Sequence, residues 1–173
     1  MTRVVLIGMP GAGKTLTGEM VADRLGWKHV DTDDEVTARA GRSVPELFRT
    51  AGEATFRAIE SDVVRSVLSE QSEVVVSLGG GAVADPVNRE AIGRSGMVVW
   101  LRAEPSTLVG RVGDAGDRPL LAGALGVEES MTRLDAERRA HYAEVADVVV
   151  DVDGKTPDEV ADEVVAQVEA GHR

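Results

Sequence analysis

The chain has 173 residues, of which 43% are hydrophobic and only 3% aromatic, with a formal charge of −11 and no cysteine. That length suits one domain with a substantial core, which must be built from Val, Leu, Ile and Ala. The acidity argues against nucleic acid or an anionic membrane as the main partner, and the lack of cysteine excludes disulfides and Cys-based zinc sites. A nucleotide is still allowed, because binding phosphate needs only a local cluster of donors.

Strands are expected near residues 3–8, 28–31, 73–78, 96–101 and 147–151. The runs Val74-Val75-Val76, Val98-Val99-Trp100-Leu101 and Val148-Val149-Val150 are continuous rather than alternating. Parallel strands covered on both faces have this pattern. With helical stretches between them, they predict an α/β fold, a three-layer sandwich around a five-stranded parallel sheet. No signal peptide is expected ahead of the first strand. No apolar run approaches the roughly 20 residues that span a bilayer, so a cytoplasmic chain is expected.

The first strand runs into Gly8-Met9-Pro10-Gly11-Ala12-Gly13-Lys14-Thr15, which fits the phosphate-binding P-loop pattern G-x-x-x-x-G-K-[ST]. Glycines let backbone N–H groups turn toward phosphate oxygens, and the helix behind them points its positive end at the same anion. Lys14 would reach the β- and γ-phosphates, and the Thr15 hydroxyl would bind Mg²⁺. A plain Gly-rich turn has the same outline, but Lys14 is one of only three lysines in the chain and sits where the motif demands it. The following helix is predicted over about 14–25, with Leu16, Met20 and Leu25 inward and Gly26 ending it.

The second strand ends in Asp31-Thr32-Asp33-Asp34. In an extended segment Asp31 and Asp33 share one side, with Thr32 on the other. One carboxylate could then support Mg²⁺ while the other accepts a proton from an attacking hydroxyl. A helix N-cap accounts for the same acids and is compatible with that role. The next thirty-five residues or so, broken by Gly41, Pro45 and Gly52, predict an insertion of short helices and one longer helix, about 32–60 forming a substrate-binding region. On the longer helix Phe56, Ile59, Val63 and Val67 follow helical spacing, and Arg57 and Glu60 are neighbours three residues apart.

After the third strand comes Leu78-Gly79-Gly80-Gly81-Ala82, more glycine than a turn requires, which suggests close approach to a ligand. Pro86 is expected to begin a helix capped by Asp85. The Gly-rich segment 110–126, with Arg111 and Arg118, is a candidate lid centred on about 112–124, and a plain surface loop is the alternative. A helix near 127–145 would place Met131, Leu134, Arg138, Tyr142 and Val145 on one side. A final helix over about 157–170 would pack through Val160, Val164 and Val168. His29, His141 and His172 have no metal or triad spacing.

Taken in chain order, these motifs resemble those of shikimate kinase over nearly the whole chain. They are the P-loop, Asp31-Thr32-Asp33, Gly52-Glu53 with Phe56-Arg57 and Glu60, Leu78-Gly79-Gly80-Gly81-Ala82, Arg118-Pro119-Leu120-Leu121, and Glu137-Arg138 with Tyr142 and Ala146-Asp147. The resemblance implies transfer of the ATP γ-phosphate to the 3-hydroxyl of shikimate, with Lys14, Asp33 and Arg118 as the catalytic residues. It implies that Gly11, Ala12, Gly13, Lys14, Thr15 and Leu16 hold the nucleotide phosphates, with Arg111 and Lys155 beside the adenine and Arg118 arriving on the lid. Shikimate would meet Asp33, Arg57, Gly79, Gly80, Gly81 and Arg138, with Glu60 orienting Arg57. Thr15 and, through water, Asp31 would serve Mg²⁺. A monomer is expected. Leu16 stands where the family commonly has a second hydroxyl residue, Ala140 replaces a common proline, and Lys155 replaces an arginine. Gluconate-type and nucleoside monophosphate kinases share the expected fold, and a non-catalytic nucleotide-binding regulator is the other class to separate.

Overall fold

The computed structural model describes residues 3–70, 72–112 and 126–171. Five strands, β1 (Arg3–Ile7), β2 (Lys28–Asp31), β3 (Val74–Ser77), β4 (Met97–Arg102) and β5 (Val148–Asp151), form one sheet in the order β2-β3-β1-β4-β5, and every pairing is parallel. The helices are α1 (Lys14–Leu25), α2 (Thr32–Ala40), α3 (Val44–Ser69), α4 (Pro86–Ile92), α5 (Pro105–Val112), α6 (Val127–Val145) and α7 (Pro157–Gly171). Every residue of β1 and β3 is buried, whereas the edge strands β2 and β5 keep half-exposed positions. The runs of β3 and β4 are covered, as expected of a parallel sheet lined on both faces, but the run Val148-Val149-Val150 is not, because β5 is an edge strand and Val149 is 42% exposed. All five expected strands are present with ends shifted by at most about one residue, which is the normal uncertainty of such boundaries.

Two features near the sheet overturn sequence expectations. Leu16 does not face inward; it is 48% exposed, and the buried face of α1 is Thr17, Gly18, Val21 and Ala22. The reason lies at Gly18, where an added Cβ would stand 2.6 Å from the Ser77 hydroxyl oxygen. The helix sits so close to β2 and β3 that only small residues fit its inner face, and Leu16 is turned to the outside. The extended geometry expected for Asp31 to Asp33 also fails. The chain becomes helical at Thr32, Asp31 is the N-cap of α2, and its Oδ1 accepts a hydrogen bond from the Asp33 amide at 2.9 Å. Capping an orphan amide next to the positive end of the helix stabilises this turn by about 1 kcal/mol.

The insertion is α2 and α3, and α3 is broken at Gly52, whose backbone is non-helical. It has a small core of its own, Val36, Leu47, Phe56 and Val63, with Phe48 and Phe56 rings 4.6 Å apart. The main core lies on both faces of the sheet. Helix α5 had no counterpart among the sequence expectations. It takes in Gly110 to Val112, so the candidate lid begins at the end of a helix, and its remainder (113–125, including Arg118) lies outside the described residues.

Candidate active site

The carboxyl ends of β1, β2 and β3 converge on one crevice, where ligands collect in open parallel sheets. At β1 the loop 8–13 leads into α1, with Gly13 as its N-cap at φ 91°. That left-handed conformation is one L side chains adopt only at a cost, so glycine is required there. The Lys14 ammonium donates to the carbonyls of Gly8 (2.9 Å) and Met9 (3.0 Å), which folds its side chain back over the loop. The Thr15 hydroxyl donates to Asp31 Oδ2 at 2.6 Å. Asp31 thus does two jobs with two oxygens, one capping α2 and one fixing the first turn of α1.

These residues line a cavity of about 490 Å³ together with Gly11, Ala12, Leu16 and Asp33 on one side, and Arg111, Val152, Lys155 and Pro157 on the other. Arg111 donates to the Val152 carbonyl at 3.4 Å, and the Lys155 ammonium is paired with Glu163 at 2.5 Å. Leu16 therefore reaches this cavity because it is exposed.

A second cavity of about 530 Å³ adjoins the first. Its polar wall holds Asp33, Arg57, Glu60, the backbone of Gly79, Gly80 and Gly81, and Arg138; its apolar wall includes Phe48, Phe56 and Leu134. Arg138 is only 5% exposed, although neighbouring Arg139 is turned outward onto Asp135 at 2.8 Å. Arg57 is held by Glu60 at 2.6 Å and approached by Glu53 at 3.5 Å. Glu60 is 2% exposed, and burial pushes its carboxyl above the usual range even though Arg57 pulls the other way.

The three glycines leave room for these charged groups. A Cβ on Gly79 would lie 2.7 Å from Asp33 Oδ1 and 2.8 Å from Glu60 Oε1, and one on Gly81 would lie 2.6 Å from Arg57 Nη2. Two residues overlooked in the sequence as site elements hold this loop. The fully buried Thr32 hydroxyl accepts from the Gly79 amide at 2.9 Å, and the Tyr142 hydroxyl donates to the Gly80 carbonyl at 2.5 Å. A threonine flanked by two acids at a strand end was the available signal for the first. Nothing in the sequence shows that Tyr142 meets a residue 62 positions away.

Thus the strand-end crevice holds two adjoining cavities that share Asp33 and Gly80. One is an anion cradle; the other offers arginines, carboxylates and backbone polar groups on a scale suited to a small polar acid. Fold and site together define a P-loop kinase of a small metabolite.

The family model described as shikimate kinase matches residues 10–169. A shikimate kinase of Symbiobacterium thermophilum is 42% identical, with 98% of both chains covered, and one of Streptomyces avermitilis is 41% identical over 96% of this chain and 95% of that one. The solved shikimate kinase of Acinetobacter baumannii, in complex with shikimate, superposes with a TM-score of 0.94 at 29% identity, covering 99% of this chain and 94% of that one. The chain belongs to the shikimate kinase family, as its ordered motifs suggest, and it is a nucleotide-using kinase.

Proposed function

We propose that this chain transfers the γ-phosphoryl group of ATP to the 3-hydroxyl of shikimate, giving shikimate 3-phosphate. The observation that carries this reading is the shared wall: Asp33 and Gly80 border both the anion cradle and the second cavity. Both partners of the transfer can therefore meet at one carboxylate.

On this reading the amides of Gly11, Ala12 and Gly13 and the Lys14 ammonium bind the phosphates, with Leu16 and Arg111 along the nucleotide and Lys155 beside the base. Arg57 and Arg138 grip the shikimate carboxylate through paired N–H donors. The Gly79–Gly81 backbone and Asp33 hold the ring hydroxyls. Asp33 accepts the proton of the 3-hydroxyl as that oxygen bonds to the γ-phosphorus and the bond to the β-γ bridging oxygen breaks. Lys14 stabilises charge on the transferring group. Arg118, outside the described residues, is assigned to the same task on the strength of Arg118-Pro119-Leu120-Leu121.

The hydroxyl of Thr15 and the carboxylate of Asp31, 2.6 Å apart on the cradle wall, are hard oxygen donors of the kind Mg²⁺ takes while keeping several waters. Thr15, with Asp31 acting through water, would hold that ion, which supplies charge neutralisation between the phosphates. No helix of the described residues is long and apolar enough to cross a membrane. The chain is taken to work in the cytoplasm as a single-domain monomer.

A coupled ADP-release assay with shikimate, gluconate and nucleoside monophosphates tests the reading. Turnover is expected with shikimate alone; turnover with gluconate and none with shikimate overturns it, and ATP binding without turnover on any acceptor would make the chain a regulator.

A further inference from the structure

Tyr142 is the only tyrosine of the chain, and it is 1% exposed. Its ring lies against Trp100 of β4, with centroids 5.6 Å apart and planes at 29°. Burial raises its phenol well above the usual value, so the group stays protonated and keeps its donor. That donor goes to the Gly80 carbonyl. Gly80 is wedged on its other side, since a Cβ there would stand 2.9 Å from Pro10 Cδ and 3.2 Å from the Gly8 carbonyl oxygen. The middle of the glycine loop is thus clamped between the P-loop and α6.

Tyr142 also stands one helical turn beyond Arg138, on the same buried face of α6. Arg138 and Gly80 both line the second cavity, from opposite chain segments, and neither is bonded to the other in sequence or in the sheet. The Tyr142 hydroxyl links the elements that bear them. We propose that Tyr142 is a positioning residue for the acceptor: through the Gly80 carbonyl it sets the spacing between Arg138 and the glycine loop, and thereby the fit of shikimate.

The proposal deepens the shikimate reading given above and rests on it. Among the described residues none of α6 lines the nucleotide cavity, although Gly80 borders it, so the effect should fall more strongly on shikimate than on ATP. In Tyr142→Phe the ring and its stacking remain while the part-buried Gly80 carbonyl loses its donor, an effect of about tenfold. The KM for shikimate should rise by about that factor, with the KM for ATP within about twofold. Trp100→Phe serves as the control, because it thins the packing around the ring but leaves the hydroxyl; it should lower the melting temperature without changing the ratio of the two KM values. Equal changes in both KM values for Tyr142→Phe, or a lowered melting temperature with neither KM moved, would overturn the proposal, as would a Trp100→Phe variant with the same shikimate-selective rise.

Should Tyr142→Phe not fold, the single tyrosine allows a second measurement. Protein grown with 3-fluorotyrosine carries one fluorine environment, whose resonance should shift when shikimate is added and stay in place with a non-hydrolysable ATP analogue. No shift with shikimate, in protein that turns shikimate over, sinks the latch alone. Wild-type protein that does not phosphorylate shikimate sinks the reading beneath it.

Discussion

The two adjoining cavities are built in opposite ways. The nucleotide side is anchored by one short segment, the loop 8–13 with the first turn of α1, which offers backbone amides and Lys14 as donors, with Arg111 and Lys155 also on the cavity wall. The acceptor side draws on the start of α2, both halves of α3, the loop after β3 and the middle of α6, and its polar side chains come from residues as far apart as Asp33, an acceptor, and Arg138, a donor. An anion cradle can be local because consecutive amides and a helix end already point one way. Recognition of a carboxylate and several hydroxyls needs planar guanidinium groups and carboxylates held apart at fixed spacing, which no single turn of chain supplies.

The largest expected effect that separates the two sides is at the wall they share. Asp33→Ala should reduce turnover by about a thousandfold or more, the range lost with a positioned general base, while nucleotide binding measured by calorimetry stays within about threefold of wild type. An active Asp33→Ala variant would mean that the proton goes elsewhere.

Gly81→Ala should act next most strongly and on the acceptor side alone. The added methyl group meets the Arg57 guanidinium at Nη2, the end of a flexible side chain, so the fold survives and the arginine gives way. Losing one bidentate carboxylate contact raises the shikimate KM by about ten- to a hundredfold, with the ATP KM little changed. Equal effects on both substrates would show that the loop serves both cavities through its backbone rather than through Arg57.

Glu60→Gln sets stability against function in the acceptor wall. Burial, the dominant influence, raises the folded-state value of Glu60 above its reference of 4.5. Such a carboxyl contributes most below that reference, and its contribution is lost as pH rises through the folded value. Glutamine stays neutral throughout, so the melting temperature of the variant minus that of wild type should grow between about pH 4 and pH 7. The shikimate KM should rise severalfold at the same time, because Arg57 loses its 2.6 Å partner. A pH-independent difference in melting temperature would remove the burial argument.

Leu16→Thr is the smallest change and belongs to the nucleotide side. Leu16 is exposed on the cradle wall, so replacing it costs little packing, and a hydroxyl there adds at most one neutral donor. The ATP KM should fall by about two- to threefold with an unchanged shikimate KM, read by steady-state kinetics.

The contrast also explains how much of the molecule was legible in advance. The sheet was readable because continuous valine runs favour strands, and in β3 and β4 the strand is covered by helices; in the edge strand β5 the same run is left partly exposed. Arg138 was legible because its spacing to Leu134 and Tyr142 puts it on the apolar face of α6, and the structure buries it while the adjacent Arg139 turns to Asp135. Leu16 was misread because hydrophobicity alone cannot show that Gly18 brings α1 too near the sheet for a larger inner face. At Asp31 the sequence allows both an extended strand end and a helix N-cap, because the two carry the same residue types, and the structure shows the N-cap.

What the amino-acid sequence determined by itself is therefore whatever depends on neighbours along the chain. This covers the P-loop and its helix, the covered strands, the Asp85 and Pro86 helix start, and the ordered motifs that mark the family. Only the tertiary structure decided that Asp33 borders two cavities, that Glu60 is buried against Arg57, that Thr32 and Tyr142 hold the glycine loop, and that Leu16 faces out. Each of these is a burial or a contact set by the packing of separate elements, even for Glu60, whose pairing with Arg57 is local to α3 but whose burial is not, and such outcomes follow from how closely the elements approach.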